Sequence, residues 1–159
     1  MANSWILFDA GLIIGALLKN DPRHNEARPL VEAGRRGDLP VCTTVGILSE
    51  VYAALTWTGA KPPQTPGDVA NAISVLVDVP SAILILPTDL TAISQMLDLA
   101  VKNQLTARRI HDARHAATAL AANVHEIYTY DISDWAMFSS AGINIVGPPS
   151  VLTTQTRVV

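Results

Sequence analysis

The sequence predicts an α/β protein built around a parallel sheet of five strands. Short apolar runs alternate along the chain with longer segments of helical periodicity, a pattern typical of parallel sheets with right-handed crossovers. The chain has 159 residues, which is the usual length of one domain. It is 49% hydrophobic and only 16% charged. An average protein is about 25% charged, so a disordered, charge-solvated chain is excluded.

Each predicted strand is a short, mainly apolar run. Continuous runs of this kind indicate strands that are buried on both faces of a parallel sheet. In chain order they occupy residues 5–8, 39–43, 82–86, 126–130 and 143–146. The first run stops at Asp9 and the fourth at Asp131. Because the carboxyl ends of parallel strands meet at one edge, both aspartates are expected at the edge where such sheets bind ligands.

Between the strands, helices are predicted from apolar positions at helical spacing and from residues that favour helix ends. A short apolar segment, residues 12–18, follows the first strand. The predicted helices run from Asp21-Pro22 to Arg36, from the cap Thr44 to about Leu55, over residues 67–77, from residue 87 to about Val101, and from the cap Thr106 to Ala121. In the helix that follows the third strand, we expect the core to be contacted by Leu90, Ile93, Leu97 and Val101.

Composition narrows the class of protein further. The net charge is −3, from 14 acidic and 11 basic residues. The sequence has no basic tail of the kind that would indicate nucleic-acid binding. The single cysteine, Cys42, cannot form an internal disulfide, which fits a reducing compartment. We expect no secretory signal, because residues 1–8 contain no Lys or Arg and Asp9 interrupts the apolar stretch. The longest apolar run, residues 10–18, is too short to span a bilayer. We therefore expect a cytoplasmic protein with one domain, residues 1–149, and a tail, residues 150–159, that is disordered or an interaction arm.

Two further acids join the aspartates at the strand ends. One follows the second strand by about two helical turns, among small residues, and the other lies early in the helix after Thr106. Burying several carboxylates together is costly and raises their pKa values, and a divalent cation removes that cost. Carboxylate oxygens suit Mg²⁺ or Mn²⁺, which can activate water and stabilise a leaving oxygen. The set therefore points to metal-assisted phosphodiester hydrolysis. Its members are Asp9, Glu50, Asp112 and Asp131.

Four segments, taken in order, resemble the PIN domain, and more narrowly the small VapC-type ribonuclease toxins of toxin–antitoxin pairs. They are Phe8-Asp9, residues 43–50 (TTVGILSE), residues 110–112 (IHD) with the alanines that follow, and residues 129–135 (TYDISDW). The resemblance extends from about Ile6 to Pro148, which is nearly the whole chain.

The resemblance implies a three-layer α/β/α fold with a five-stranded parallel sheet, and cleavage of RNA by a metal-activated water. It implies that the four acids are the catalytic residues and that they hold one or two Mg²⁺ or Mn²⁺ ions. It also implies that Asp134 is an outer ligand or a helix cap and that Thr129 holds Asp131 through its hydroxyl. The implied partners are a second copy of the chain and a VapB-like antitoxin. The high apolar fraction independently favours self-association.

The sequence departs from the family pattern at two positions. Ala10 stands where the family usually has Thr or Ser, so a hydroxyl that could hold a neighbouring carboxylate is missing. Trp135 replaces the commoner Phe, and we expect it to keep the packing role. Neither change removes a ligand, so we expect activity, and the loss at Ala10 favours weak metal binding.

Two arginines and two histidines near the third acid have competing interpretations. Arg108 and Arg109 are candidates for phosphate contacts, or they are solvated or intersubunit arginines. His111 and His115 share a helical face, as in zinc proteases, but an aspartate would have to be the base. The downstream histidine, His125, lies past the helix end, so a zinc site fails at two points. For both histidines, a partly exposed face or a dimer contact is the simpler interpretation.

A second hypothesis describes the same fold as a non-catalytic module that binds RNA or protein. The intact acids argue against it. Metal-dependent activity distinguishes the two hypotheses, because a pure binder would bind RNA equally well with the acids changed to amides.

Overall fold

The computed structural model describes residues 4–155, which form one five-stranded parallel sheet flanked by helices. The strands are β1 Ile6–Phe8, β2 Val41–Thr44, β3 Leu84–Leu86, β4 Glu126–Tyr128 and β5 Asn144–Gly147. The helices are α1 Ala10–Leu17, α2 His24–Arg36, α3 Val45–Thr56, α4 Pro66–Val77, α5 Leu90–Lys102, α6 Ile110–Ala121, α7 Ile132–Ala136 and α8 Pro149–Gln155. Short 3₁₀ turns occupy Ala107–Arg109 and Ser139–Ala141. The predicted α/β class and five-stranded parallel sheet are confirmed.

The strand order is β3-β2-β1-β4-β5, and every neighbouring pair is parallel. β1 lies in the middle, because Leu7 is in register with Cys42 of β2 on one side and with Ile127 of β4 on the other. The chain therefore builds outward from β1 to β3 and then returns to place β4 beside β1. Ligands in open α/β sheets bind at the carboxyl edge beside such a reversal, so the ends of β1 and β4 are the expected location of a site.

The central strand is buried on both faces, as its continuous apolar sequence predicts. Ile6, Leu7 and Phe8 are each at most 8% exposed. Phe8 also stacks on Tyr128 of β4, with the ring centroids 5.2 Å apart. Burying one such side chain contributes about 1.5–3 kcal/mol to stability. The residue that follows β1, Asp9, is therefore attached to one of the most firmly packed parts of the molecule.

The apolar stripe of α5 faces solvent, so the prediction that it contacts the core is wrong. The exposed fractions are 78% for Leu90, 41% for Ile93, 53% for Leu97 and 79% for Val101. α5 packs against α6, and both helices bury small side chains, among them Ala92, Ala100 and Ala117. Small side chains allow two helices to approach closely. The larger apolar residues of α5 are therefore left on its outer face, which we call the α5 stripe.

The start of α6 also differs from the prediction. Thr106 makes no capping hydrogen bond, because Ala107 adopts a φ of +51° and a 3₁₀ turn precedes the helix. α6 consequently begins at Ile110. Arg108 and Arg109 lie in the 3₁₀ turn rather than in the first turn of the helix.

The sequence after Pro148 contains no pattern that predicts packing against the core, yet this segment forms α8. Val151 is only 6% exposed, and Ser150 donates from its backbone N–H and its hydroxyl to Glu26, over 3.0 and 2.6 Å. The rest of the expected tail, residues 156–159, lies outside the described residues. In the described part of the chain, residues 4–155, no helix combines the length and the apolar character needed to cross a bilayer.

Candidate active site

The four acids predicted from the sequence lie after two neighbouring strands and on two helices that pack together. Asp9 directly follows β1 and caps α1, since its Oδ1 accepts a 2.9 Å hydrogen bond from the backbone N–H of Ala10. Asp131 follows β4 and precedes α7. Glu50 lies on α3 and Asp112 in the first turn of α6, and these two helices are in contact. The topology thus brings acids from four separate segments to one region.

Two buried donors fix the carboxylate of Asp9. The hydroxyl of Thr129 donates to Oδ2 of Asp9 over 2.7 Å, and the indole Nε1–H of Trp135 donates to the same oxygen over 3.0 Å. Thr129 is fully buried and Trp135 nearly so. The Thr129 hydroxyl also accepts a 2.9 Å hydrogen bond from the backbone N–H of Asp131. Thr129 therefore holds the backbone of Asp131 and the side chain of Asp9 at the same time.

Glu50 is held by a histidine. Nε2 of His115 lies 2.8 Å from Oε1 of Glu50, and because a carboxylate only accepts, the imidazole donates. Burial raises the pKa of Glu50, but the hydrogen bond with His115 and the nearby charges of His115, His111 and Arg114 together outweigh it, and the pKa lies below the ordinary value. His115 is only 2% exposed, and its Nδ1 is buried without a partner in the described part of the chain. The expectation of a partly exposed face is therefore wrong for His115, although His111 is exposed.

Asp112 and Asp131 lie in an environment that disfavours their charge. Burial raises the pKa of both carboxyl groups, and the nearby carboxylate of Asp134 raises both further. Asp9 has the same effect on both, and Glu50 adds to it at Asp112. The five acids are therefore close enough to repel one another, and such a group attracts a cation.

The carboxylate oxygens of these acids are suitable ligands for a hard divalent cation. They do not, however, converge on a single position where such a cation would bind. Among residues 4–155, no three side chains of His, Cys, Asp or Glu converge as ligands of a single ion. Glu50 is turned toward His115, and Asp9 is held by Thr129 and Trp135. Several carboxylates, whose mutual repulsion His115 and Arg23 only partly offset, nevertheless match the preference of Mg²⁺ and Mn²⁺ for oxygen ligands.

Sequence reasoning missed three side chains of this region. Trp135 was expected only to pack, yet its N–H contacts Asp9. His115 partners Glu50 across the α3–α6 contact. Arg114 lines the same cleft as His111 and Glu50. The i, i+4 pair of histidines drew attention to α6, but only the packing of α6 on α3 shows which side chain each residue meets. Both arginines proposed from the sequence, residues 108 and 109, are exposed.

The fold and the site together define a parallel α/β domain with an acidic cluster at the carboxyl edge of its sheet. The family model of the PIN domain matches residues 6–135 of the sequence. The chain therefore belongs to the PIN domain family. Among curated proteins, no sequence matches significantly.

Several solved structures share the fold, and they include toxins of VapBC systems. Mycobacterium tuberculosis VapC20, a sarcin-ricin loop cleaving toxin, has a TM-score of 0.67 at 18% identity, with 90% of this chain and 99% of that chain covered. A toxin–antitoxin complex from Klebsiella pneumoniae has a TM-score of 0.58 at 19% identity, covering 88% and 96%. A member of the VapBC family from Mycobacterium tuberculosis, VapBC-5, has a TM-score of 0.54 at 22% identity, covering 92% and 100%. At these identities the likeness concerns the fold, so the chain structurally resembles VapC toxins.

Proposed function

We propose that this chain is a metal-dependent endoribonuclease and the toxin of a toxin–antitoxin pair. It would hydrolyse RNA phosphodiester bonds with a water activated by Mg²⁺ or Mn²⁺. The proposed ligands and catalytic groups are Asp9, Glu50, Asp112 and Asp131. Membership of the PIN domain family, whose members are typically nucleases, supports this function.

One observation carries the proposal, namely the mutual repulsion of acids drawn from four separate segments. Asp112 and Asp131 have raised pKa values partly because other carboxylates lie near them. Such an arrangement lowers the stability of the protein alone, and a bound divalent cation relieves it. The location at the carboxyl edge, beside the reversal in strand order, is where α/β sheets bind ligands.

The protein's own residues would prepare the ligands. When bound, the cation would act as a Lewis acid that activates water and stabilises the leaving oxygen. Thr129 and Trp135 fix the orientation of Asp9, and His115 fixes that of Glu50. Outer contacts of this kind orient ligands and raise metal affinity. Asp134 adds negative charge beside Asp112 and Asp131.

The proposed partners are a VapB-like antitoxin and a second copy of the chain. The antitoxin is proposed because two proteins of similar fold were crystallised as members of toxin–antitoxin systems. The homodimer is proposed because the α5 stripe exposes four large apolar side chains on one helix face. A contiguous exposed apolar surface of this kind commonly marks an interface.

The proposed location is the cytoplasm. RNA as substrate and the buried, unpaired thiol of Cys42 both fit this location.

The decisive test is cleavage of total cellular RNA by the purified protein with Mg²⁺ or Mn²⁺. We expect discrete RNA fragments, their loss in EDTA, and no cleavage by Asp9→Asn or Asp112→Asn. Each amide keeps the size of the side chain but removes the charge that binds a cation. Circular dichroism should show that both variants remain folded. The matched control is Asp68→Asn, an exposed aspartate in the first turn of α4, which should cleave like the parent protein.

Full activity in either site variant would contradict the assignment of that residue. A protein that binds RNA equally well with Asp9 or Asp112 changed to Asn, and never cleaves it in either metal, would instead support the non-catalytic module.

A further inference from the structure

A cleft of about 190 Å³ lies between α3 and α6, next to the proposed metal ligands. Its α3 wall consists of Gly46, Ser49 and Ala53, which are small, and of Glu50. Its α6 wall carries His111 and Arg114 in addition to His115. The cleft is smaller than the roughly 300–1,000 Å³ of a typical small-molecule pocket. Its size suits a phosphate and its sugar rather than a larger ligand.

The guanidinium of Arg114 is seated on the backbone of α3. A β-carbon built on Gly46 would collide with the guanidinium, lying only 2.6 Å from Cζ and 2.7 Å from Nε of Arg114. The space that any other residue would fill at Gly46 is thus occupied by the charged group. A side chain packed in this way has lost much of its conformational freedom, so a ligand that binds it loses less entropy in doing so.

Among residues 4–155, Arg114 forms no ion pair, although its charge is close enough to Glu50 to help lower the pKa of that carboxyl group. Four arginines of residues 4–155 form ion pairs with Asp or Glu, namely Arg23, Arg28, Arg35 and Arg36. The arginines of that part of the chain that form none are Arg108, Arg109 and Arg114, which lie within seven residues of one another around Asp112. Although Glu50 lies near Arg114, its Oε1 is engaged by His115.

A half-buried cation that forms no ion pair costs stability, and an anion from outside the protein would recover part of that cost. Guanidinium groups match phosphate oxygens with two parallel hydrogen bonds. We propose that the cleft between α3 and α6 binds a phosphate of the RNA strand beside the scissile bond, with Arg114 as its principal ligand. This inference rests on the proposed function, because the cleft adjoins the proposed metal ligands and takes the same RNA substrate.

The test measures RNA binding separately from cleavage. The probe is a fluorescein-labelled RNA oligonucleotide of randomised sequence, titrated with protein carrying Asp9→Asn, in EDTA, and followed by fluorescence anisotropy at several NaCl concentrations. Adding Arg114→Ala should weaken binding about tenfold, because a charge-assisted contact is lost. It should also reduce the slope of log Kobs against log [NaCl] by about 0.7, the value for one phosphate contact on a single strand. Arg114→Lys should keep the slope but bind more weakly than arginine.

Two further variants distinguish a phosphate contact from a general disturbance. Arg36→Ala removes an exposed arginine that pairs with Asp38 far from the cleft, and it should change neither the affinity nor the slope. Gly46→Ala should displace the guanidinium and weaken binding as Arg114→Ala does. It should have no additional effect once Arg114 is alanine, because the three atoms nearest to its β-carbon all belong to that side chain. Thermal unfolding checks that each variant is folded.

An unchanged salt slope in Arg114→Ala, or no measurable binding of the RNA by the Asp9→Asn protein, overturns the inference. Failure of the phosphate site can be distinguished from failure of the proposed nuclease function. Cleavage that needs metal and Asp9, together with an unchanged slope, leaves the nuclease standing and removes the phosphate site. A reduced slope without any cleavage retains the phosphate site and removes the nuclease.

Discussion

At the scale of single residues, the site depends on neutral donors that hold charged acceptors. Oδ2 of Asp9 accepts from both Thr129 and Trp135, and both donors are buried. Hydrogen bonds to a charged group are worth more than neutral ones, roughly 1.5–3 kcal/mol each. The family resemblance leads one to expect a hydroxyl at position 10, where Ala10 offers none. The indole N–H of Trp135 supplies a donor that a phenylalanine would lack, so one departure offsets the other.

This compensation predicts the effect of Trp135→Phe. The ring would still pack against Phe138, which it meets edge-on at 5.9 Å, but Asp9 would lose one donor. We expect Mn²⁺ to bind about tenfold more weakly, as is usual when an outer partner of a ligand is removed. Isothermal titration calorimetry of Mn²⁺ measures this directly. Trp57→Phe, at a tryptophan that is 66% exposed, is the matched control. Equal Mn²⁺ affinity in the two variants would show that the indole N–H does not act on the site.

At the scale of elements, one carboxylate helps to hold α8, whose Val151 is also buried, against the rest of the fold. Glu26 of α2 accepts from the backbone N–H and the hydroxyl of Ser150, and also from the Tyr130 hydroxyl over 2.8 Å. Burial raises the pKa of Glu26, but these hydrogen bonds outweigh it and hold the pKa below the ordinary value of 4.5. Glu26 therefore links α2, α8 and the residue that precedes Asp131.

The lowered pKa of Glu26 predicts a pH-dependent contribution to stability. A depressed carboxyl pKa contributes stability above the unfolded-state value, and the contribution is lost as the pH falls through the folded-state value. Glu26→Gln should therefore lower the melting temperature by a few degrees at neutral pH. The difference from the parent should shrink as the pH falls below about 4. Glu126→Gln, at a partly exposed carboxylate of β4, is the control. A melting-temperature difference that is constant from neutral to acid pH would contradict the role of the charge.

The order and type of the five strands and of the longer helices could be predicted from the sequence, because continuous apolar runs and helix caps are local signals. The orientation of α5 could not be. Helical spacing shows that Leu90, Ile93, Leu97 and Val101 share a face, but not whether a partner lies there. In the structure, small residues on the other face permit close packing on α6. α8 was missed because it is short and its docking depends on Glu26, 124 residues away from Ser150.

The same limit applies to the residues of the candidate site. Acids that follow strands or begin helices can be located along the chain, because each lies beside a local signal. Their partners cannot, since Glu50 and His115 are 65 residues apart and Asp9 and Trp135 are 126 apart. Such contacts depend on how the helices pack, which no local pattern encodes.

At the scale of the whole molecule, the α5 stripe is the largest departure from a self-sufficient core. Leu90 and Val101 are each more than three-quarters exposed, and Ile93 and Leu97 lie between them on the same face. Burying them against a second copy would remove apolar surface from water at about 25 cal/mol per Å². The low charged fraction of the chain leaves few side chains to solvate this face instead.

This feature predicts that the protein is a dimer and that Leu97→Glu makes it a monomer. A carboxylate in the middle of the α5 stripe would be buried without a partner in the dimer, which is costly. Multi-angle light scattering at micromolar concentration measures both states. The control is Val79→Glu, the same kind of change at a valine that is 95% exposed outside the stripe. It should leave the dimer intact, and a parent protein that is already monomeric would contradict the proposed interface.

The position of β1 in the middle of the sheet also determines when the site comes into existence during synthesis. Asp9 leaves the ribosome early, but the hydroxyl and the indole that hold it belong to Thr129 and Trp135, and β4 must pair with β1 to bring them there. A partly synthesised chain therefore carries Asp9 and Glu50 without an assembled site. The proposed cleavage of RNA therefore requires a chain that has been synthesised at least as far as Trp135.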